Sequence, residues 1–336
     1  MIKFLLLRGQ EPKDRNPVET YYNNLSECDD IYTLMVNQLL EIHPDWMGTI
    51  VYWGGNRRKT YSFKLLEIRE TSIHPNAYIN YDIVWARGGF PEYDPVLFHI
   101  RKHNPKAFIM YYGANAKRFY PKNKFKDYNL ILVDSYEQQK ICQRECPNIP
   151  CTLFIKPAPD NLIGPVVVPK KYDVCYPANG RQQQYKGQAF VYNSVPEDIT
   201  VYNLGTPCDI KCPNNVYRNR VLRKNIAAEY SKCKCGIIVY NKGLDSCPRV
   251  LPEMLACDLP VICADTFYFW KEMYITEKTG LIVKQDKIWN AVKYVLNNLD
   301  KYSPREHYLE HLSVKYATSY FSNLIQRFRT KEFQNV

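Results

Sequence analysis

The sequence predicts an α/β protein with two doubly wound parallel-sheet domains, and three observations support this class. The chain has 336 residues, which is longer than most single domains. Buried-strand patterns alternate with helical patterns along nearly its whole length, as they do in parallel sheets with helices on both faces. A proline-rich passage divides this alternation into two series.

The first series occupies residues 1–160 and predicts the N-terminal domain. Short apolar runs indicate strands, and apolar residues at helical spacing indicate helices between them. The predicted strands are Ile2–Leu7, Thr49–Trp53, Ile83–Ala86, Ala107–Tyr111 and Leu130–Val133, and the predicted helices are Asp29–Ile42, Pro95–His103 and Tyr136–Arg144.

The second series predicts a C-terminal domain over residues 170–310. It follows a connector between Lys156 and Lys170, whose prolines cannot continue a central strand. Its predicted strands are Tyr172–Tyr176, Thr200–Leu204, Gly236–Tyr240, Leu259–Ile262 and Thr279–Val283, and its predicted helices are Gln188–Ser194 and Val221–Tyr230. Both series predict Rossmann-like domains, which we expect to face each other across a cleft.

Composition and charge narrow the function classes. The N-terminal apolar run is too short for a signal peptide, and no later run approaches membrane-spanning length, so we expect a cytoplasmic protein. Its net charge of +11 suits an anionic ligand and allows peripheral association with an anionic membrane. The basic residues form no long run and no nucleic-acid-binding motif, so nucleic acid is not an expected partner. The sequence predicts no oligomeric state.

The twelve cysteines do not indicate a disulfide framework. They are scattered through a large chain with good core residues and no export signal, so we expect buried thiols. A zinc site built from Cys208, Cys212, Cys233 and Cys235 is disfavoured, because the last two are one residue apart and lead into a strand. No metal site is expected.

The segment Lys242–Asp265 carries the strongest functional signal. Ser246 is a candidate helix cap, and Pro248 suits the first turn because the N–H that it lacks would have no partner there. The free amides of such a turn, from Cys247 to Arg249, favour an anion.

Two carboxylates, Asp245 and Glu253, flank this helix start. Taken alone, Glu253 is better interpreted as a solvated residue of a first turn, and Asp245 fits a simple helix cap. Their interpretation therefore depends on what else the same domain carries.

The loop after the strand Tyr172–Tyr176 carries Gly180, Arg181 and Lys186. It lies at the carboxyl edge of the predicted sheet, where such folds bind ligands. Arginine holds phosphate oxygens with two parallel hydrogen bonds, and lysine acts as a point charge. No Gly-x-Gly-x-x-Gly or Gly-x4-Gly-Lys-Ser/Thr cradle is present, which argues against a nicotinamide dehydrogenase and a P-loop enzyme.

Together these motifs resemble those of retaining glycosyltransferases of the GT-B type, and most closely the family 4 group. The family has a Gly-Arg…Lys-Gly loop, a Glu-x7-Glu motif that leads into a strand, and a later Thr-Gly-Leu-Leu-Val strand. The matching residues are Gly180-Arg181 with Lys186-Gly187, Asp245 with Glu253 and Met254–Val261, and Thr279–Val283.

The chain departs from the family pattern at three positions. Tyr112 stands where the family usually has a His that helps to hold the donor sugar. Asp245 replaces the first Glu of the motif and shortens its reach by one methylene group. Asp258 replaces a Gly between helix and strand, and we expect the turn to form because Asp tolerates the left-handed conformation.

The resemblance implies the reaction. A sugar would pass from a UDP-, GDP- or ADP-linked donor to a hydroxyl of a glycan, glycolipid or glycoprotein acceptor, with retention of configuration. No cofactor or metal would be required, because side-chain cations stabilise the leaving diphosphate. In folds of this type a C-terminal helix, here 311–336, packs back on the first domain.

The resemblance also implies roles for individual residues. Arg181 and Lys186 would stabilise the diphosphate, Asp245 would contact the donor sugar, and Glu253 would bind the ribose. The remaining expected donor-binding residues are Gly180, Ser246, Cys247, Pro248, Arg249, Thr206, Tyr217 and Arg218. The expected acceptor-side residues, most of them at strand ends of the first domain, are Arg8, Gly9, Arg87, Gly88, Gly89 and Tyr112.

Two other function classes remain open. A sugar-nucleotide epimerase of the same fold would need acid and base residues, for which His99 and His103 are the nearby candidates. An inactive carbohydrate- or nucleotide-binding module is the other, because of Tyr112 and Asp245. The aromatic run Phe267–Trp270 suits either sugar stacking or packing.

Overall fold

The protein folds into two compact units, each built around its own sheet. The computed structural model describes residues 1–9, 28–52, 59–62, 64–70, 75–88, 90–113, 120–178, 186–206, 210, 212–218, 221–240, 247–266 and 269–330. The first unit comprises Met1–Ile155 and Ala317–Val336, and the second comprises Lys156–Tyr316.

The first unit contains an eight-stranded sheet. Its strands are β1 (Ile2–Arg8), β2 (Trp46–Tyr52), β3 (Lys59–Ser62), β4 (Leu66–Glu70), β5 (Ile83–Arg87), β6 (Phe108–Tyr112), β7 (Leu130–Val133) and β8 (Cys151–Leu153). Their order is β3-β4-β2-β1-β5-β6-β7-β8, and only the pairing of β3 with β4 is antiparallel. Residues Phe4 to Leu7 of the central β1 are completely buried, because helices cover both faces of a parallel sheet.

Four helices pack in the first unit. They are α1 (Ile31–Ile42), α2 (Asp94–His103), α3 (Tyr136–Glu145) and the C-terminal part of the last helix, whose full extent is Val314–Arg329. Phe321 on this last helix lies 4.5 Å, centroid to centroid, from Trp85 on β5 and 5.9 Å from Phe154. The end of the chain thus contributes to the first unit's core.

The second unit contains a six-stranded sheet in which every pair of neighbours is parallel. Its strands are β9 (Tyr172–Tyr176), β10 (Val201–Leu204), β11 (Asn215–Arg218), β12 (Cys233–Ile238), β13 (Val261–Ala264) and β14 (Gly280–Val283), in the order β11-β10-β9-β12-β13-β14. Its helices are α4 (Gln188–Ser194), α5 (Ile226–Ser231), α6 (Val250–Ala256), α7 (Lys271–Tyr274), α8 (Ile288–Leu296) and α9 (Pro304–His311). The last helix of the chain is therefore α10.

The turn from α6 to β13 depends on Asp258. Its backbone has a φ of 61°, in the left-handed region, as the sequence predicts for this replacement of a glycine. The N–H of Leu259 donates to the carbonyl of Met254 at 3.0 Å, which closes the helix end. One carboxylate oxygen of Asp258 accepts a hydrogen bond from the N–H of Arg305 at 3.0 Å, so its side chain also connects the turn to α9.

The expected C-terminal helix over 311–336 begins at Val314 in α10, after a break that separates it from α9. Asp160 accounts for the break, because its carboxylate accepts a hydrogen bond from the N–H of Val314 at 2.8 Å and so satisfies the start of a new helix. The hydroxyl of Tyr308 on α9 donates to the same carboxylate. Burial raises the pKa of Asp160 above its ordinary value, although these hydrogen bonds and Arg305 oppose the rise.

The cysteines of the described residues are free thiols, and most of them are buried. This confirms the expectation for the part of the chain that the structure describes. Cys208 lies outside that part. No helix among the described residues is long and apolar enough to cross a membrane.

Candidate functional site

The carboxyl edge of the second sheet carries several of the predicted donor residues that the structure describes. Because all six strands are parallel, their carboxyl ends form one edge. The strand order reverses at β9, which pairs with β10 on one side and with β12 on the other. This topological switch point is where doubly wound sheets form a ligand crevice.

Lys186 lies at this edge, and tyrosines of two adjacent strands hold it. The hydroxyl of Tyr176, the last residue of β9, donates to the carbonyl of Lys186. The Nζ of Lys186 contacts the hydroxyl of Tyr240, which follows β12, and lies 3.7 Å from the centre of that ring. An ammonium group against an aromatic ring is stabilised by the ring quadrupole, so this cation has a defined position.

The helix α4 begins close to Val239, which follows β12 and precedes Tyr240. Gly187, just before α4, has a φ of 65°. A Cβ atom at this position would lie 2.8 Å from a methyl group of Val239 and 2.9 Å from its carbonyl oxygen. Only glycine combines the left-handed backbone with this close approach. Gly187 therefore allows Lys186 to sit directly against the end of β12.

Glu253 is a buried carboxylate in the first turn of α6. It is 1% exposed, so the interpretation as a solvated surface residue is wrong for this structure. The hydroxyl of Tyr230, on α5, donates to its Oε2 at 3.0 Å. Gly236 on β12 lets α6 approach the sheet, since a Cβ there would lie 2.4 Å from the sulfur of Met254. Close helix packing therefore holds Glu253 near the sheet.

The start of α6 is short and contains two prolines. The helix begins at Val250, after a turn in which the N–H of Leu251 donates to the carbonyl of Pro248 at 3.0 Å. Pro252 is the third helical residue, where a missing N–H breaks no intrahelical bond. The N–H of Glu253 donates to the carbonyl of Arg249 at 3.3 Å and makes the first full helical turn.

Lys156 is a buried cation beside this helix start, and the sequence analysis missed it. Its Nζ donates to the carbonyl of Cys247 at 2.7 Å, and its own backbone N–H and carbonyl both bond to the hydroxyl of Tyr274. Lys156 and Cys247 are 91 positions apart in the chain, so no local pattern indicates their contact.

The remaining described donor candidates have different environments. Thr206 follows β10 at the same carboxyl edge. The hydroxyl of Tyr217 donates to the carbonyl of Ile210 at 3.4 Å, and the ring packs against the hydrophobic core. Arg218 is mostly exposed and lies 3.7 Å from the carboxylate of Glu229 on α5. The structure thus places Thr206 at the edge and gives Tyr217 a packing role.

Five predicted site residues lie outside the described residues: Gly89, Gly180, Arg181, Asp245 and Ser246. Their roles stay predictions. The same holds for Phe267 and Tyr268 of the aromatic run, whereas Phe269 is 1% exposed and packs near Tyr274.

The first sheet has its own switch point, between β1 and β5. Their last residues, Arg8 and Arg87, are paired in register. The carboxylate of Asp30, which caps α1, accepts hydrogen bonds from Nη2 of Arg8, from Tyr52 at 2.9 Å and from Thr33. Burial alone would raise the pKa of Asp30, but Arg8, Arg87 and these hydrogen bonds together lower it. Arg8 is therefore part of a buried ion pair.

The two glycines beside these arginines are covered by one ring. A Cβ at Gly9 would lie 2.6 Å from the ring of Phe90, and one at Gly88 would lie 2.5 Å from it. Gly88 also has a φ of 93°. Both glycines therefore make room for Phe90, which separates their backbones from direct contact with a ligand at that face.

Tyr112, the residue in the position of the family's His, is fully buried. Its hydroxyl donates to the Oδ1 of Asp134 at 2.8 Å, and its ring packs 4.7 Å from that of Phe154, centroid to centroid. Burial raises the pKa of Tyr112 well above its ordinary value, and the carboxylate of Asp134 raises it further. In this structure Tyr112 packs in the core and has no surface to offer an acceptor.

The structure describes no metal centre. Among the residues that it covers, no cluster of three or more His, Cys, Asp or Glu is placed to hold a metal ion. Cys233 and Cys235 lie on β12, and the thiol of Cys235 donates to the carbonyl of Asp173 at 3.4 Å.

A groove of about 400 Å³ lies at the opposite edge of the second sheet. Its walls include Lys170, which precedes β9, Pro260, which precedes β13, and Val167 of the connector. These residues lie at the amino ends of the strands, so the groove is separate from the site that carries Lys186.

Comparisons with known proteins place the chain by its fold. No protein-family model matches it, and no curated sequence matches it. Sucrose-phosphate synthase from Thermosynechococcus elongatus is 12% identical over 97% of this chain and 99% of that chain, with a TM-score of 0.68. HepE from Anabaena, solved in complex with UDP, is 11% identical over 97% and 100%, with a TM-score of 0.66.

A glycosyltransferase from Rickettsia africae is 13% identical over 98% of this chain and 99% of that chain, with a TM-score of 0.65. At such low identity these similarities establish the fold. They confirm the predicted class, an α/β protein of GT-B architecture with two parallel-sheet domains.

Proposed function

We propose that the protein is a glycosyltransferase related to family 4. It transfers a sugar from a UDP-, GDP- or ADP-linked donor to a hydroxyl of a glycan, glycolipid or glycoprotein acceptor. The anomeric configuration is retained, and no metal ion or other cofactor takes part.

One observation carries this proposal: the motif residues lie where the fold binds ligands. Support comes from the positions of Lys186, which lies at the carboxyl edge of the second sheet, and of Glu253, in the first turn of the helix that follows β12; HepE, solved with UDP, shares this fold along nearly its whole length. The two motifs are separated by more than fifty residues, and the sequence assigns both to one ligand.

The proposed chemistry follows from charge. When the anomeric bond breaks, negative charge develops on the leaving diphosphate, and donors held in place beforehand stabilise it without reorganising. Lys186 is such a donor, because Tyr240 and Tyr176 already define its position. We assign the second cationic contact to Arg181, the donor-sugar contact to Asp245 and the ribose contact to Glu253.

In this proposal, side-chain cations stabilise most of the negative charge of the diphosphate. The helix α6 has only seven residues, so its dipole is small. The buried ammonium group of Lys156, bonded to Cys247, adds positive charge next to the helix start. Lys156 thus supports the donor site without a motif of its own.

The epimerase alternative has little support in the structure. Its acid and base candidates, His99 and His103, lie on α2, and His103 ends that helix before β6 begins. That end of α2 is at the amino edge of the first sheet, away from the strand ends that carry Arg8 and Arg87.

The experiment that tests the function is incubation of the protein with a panel of UDP-, GDP- and ADP-sugars. A glycosyltransferase releases free nucleoside diphosphate by transfer or by slow hydrolysis, and we expect this product from one of the three donor classes. An isomerised donor would identify an epimerase instead. Binding without turnover would identify an inactive module.

A further inference from the structure

Two positively charged side chains lie against one tyrosine ring at the switch point of the first sheet. The ring of Tyr32 contacts both guanidinium groups, with its centre 4.6 Å from the Cζ of Arg8 and 4.4 Å from the Cζ of Arg87. Two guanidinium groups that contact the same ring repel each other, and partial burial strengthens the repulsion. The site therefore requires negative charge nearby.

Asp30 supplies one negative charge, and its hydrogen-bond donors are Arg8, Thr33 and Tyr52. Its carboxylate accepts hydrogen bonds from Nη2 of Arg8, from the N–H and the hydroxyl of Thr33 at 3.1 and 2.9 Å, and from Tyr52 at 2.9 Å. Three of these hydrogen bonds go to Oδ2, and the one from Arg8 goes to Oδ1. Arg87 attracts this carboxylate electrostatically but donates no hydrogen bond to it.

Arg87 has no acceptor among the residues that the structure describes. Its guanidinium group forms no hydrogen bond or ion pair with them, and its Nε is buried without a partner. The next carboxylate, Asp134, follows β7 and accepts from the hydroxyl of Tyr112, which belongs to the strand between. A partly buried cation without an acceptor is costly, and a bound anion would remove that cost.

We propose that Arg87 binds an anionic group of the acceptor substrate, a carboxylate or a phosphate. This inference rests on the proposed function, in which the first unit receives the acceptor. A guanidinium group donates two parallel hydrogen bonds to either group, so the shared chemistry is a planar pair of anionic oxygens. Arg8 is a positioning residue, because its ion pair with Asp30 leaves Arg87 available.

Calorimetric titration of the full chain tests the proposal, with glucose 6-phosphate, glucuronate, glucose and inorganic phosphate as probes. We expect one of the anionic sugars to bind at least about tenfold more tightly than glucose, as one charge-assisted contact allows. Arg87→Gln should abolish this preference, and Arg87→Lys should retain part of it. Arg144→Gln removes an exposed charge on α3 and should change nothing.

Equal affinities for glucose and both anionic sugars would overturn the proposal, and so would an unchanged preference in Arg87→Gln. Inorganic phosphate that binds as tightly as glucose 6-phosphate would show a site for free phosphate and would overturn the assignment to an acceptor. UDP, GDP and ADP are titrated in parallel. If none of them binds the wild-type protein, the proposed function fails, whereas the preference for anionic sugars is measured independently.

Discussion

Lys186 shows how the fold defines the position of one side chain. Its backbone is bonded to Tyr176 at the end of β9, and its ammonium group contacts Tyr240 beyond β12. These two strands are neighbours in the sheet. The cation is therefore placed before a ligand arrives, which is the condition for effective electrostatic stabilisation.

Replacement of this lysine should reduce catalysis strongly. We expect Lys186→Ala to lower kcat/KM for the nucleotide sugar by about 30- to 1,000-fold, equivalent to ~2–4 kcal/mol of transition-state stabilisation. Steady-state release of nucleoside diphosphate measures the effect. Lys140→Ala, which removes an exposed lysine of α3, is the control and should retain full activity. Near-normal turnover in Lys186→Ala would exclude it from the diphosphate site.

Glu253 should contribute to nucleotide affinity. Glu253→Gln keeps the shape of the side chain but removes the charged acceptor for ribose hydroxyls, so we expect affinity for the donor nucleotide to fall about tenfold or more. Calorimetry measures the change. Tyr230→Phe is the matched control, because it deletes only the internal hydrogen bond to the same carboxylate. If both variants bind nucleotide like the wild type, Glu253 is a structural residue.

Local patterns identified the motif residues but not their partners. Lys186 and Glu253 stand out because each belongs to a short spaced motif. The contact between Lys156 and Cys247 joins residues 91 positions apart, and the pair of Arg8 with Asp30 joins residues 22 apart. Such contacts arise from tertiary packing, so the sequence did not indicate that Arg8, an expected acceptor-side residue, is the counter-ion of a helix cap.

The start of the helix α1 depends on a charged cap, the carboxylate of Asp30. Asp30 caps the helix through the N–H of Thr33 and pairs with Arg8 from β1. Removing one partner of a buried ion pair leaves the other charge uncompensated, so we expect Asp30→Asn to destabilise the protein by about 3 kcal/mol at pH 7. Urea unfolding measures this difference. Asp286→Asn, at a largely exposed carboxylate, should have little effect.

We also expect the stability difference between the wild type and Asp30→Asn to depend on pH. The pKa of Asp30 in the folded protein is below its ordinary value of 3.8, so the unfolded state binds more protons at acidic pH. The stability that Asp30 contributes is therefore present above about pH 4 and is lost as the pH falls through the folded pKa. The stability difference between wild type and Asp30→Asn should narrow below pH 4. A constant difference from pH 7 to pH 3 would contradict this account.

Several buried strands were predictable from their apolar runs, and most edge strands were not. The strands Leu130–Val133 and Tyr172–Tyr176 and the helix Gln188–Ser194 match their predictions, because their patterns agree with complete burial on one or both faces. The sequence analysis missed β4 and α8, and also β3, β8 and β11, which have three or four residues and lie at sheet edges. Edge strands are stabilised by pairing with a neighbour, which composition does not encode.

The two sheets account for the fold of the whole molecule at very low sequence identity. The similar solved structures share only 11–13% of their residues with this chain, yet they match nearly its full length. What persists is the alternation of buried strands and helices, which is also the pattern that predicted the class. Side-chain identity matters mainly at strand ends, where the candidate sites lie.

The central claim is that the donor nucleotide binds at the carboxyl edge of the second sheet. Hydrogen exchange of the whole chain, with and without saturating UDP, GDP or ADP, tests it most directly. We expect the nucleotide that binds to slow exchange most in residues 186–194 and 236–256, which include α4, the end of β12 and α6. Strongest protection in the first unit, or in residues 165–170 at the amino-edge groove, would contradict the account.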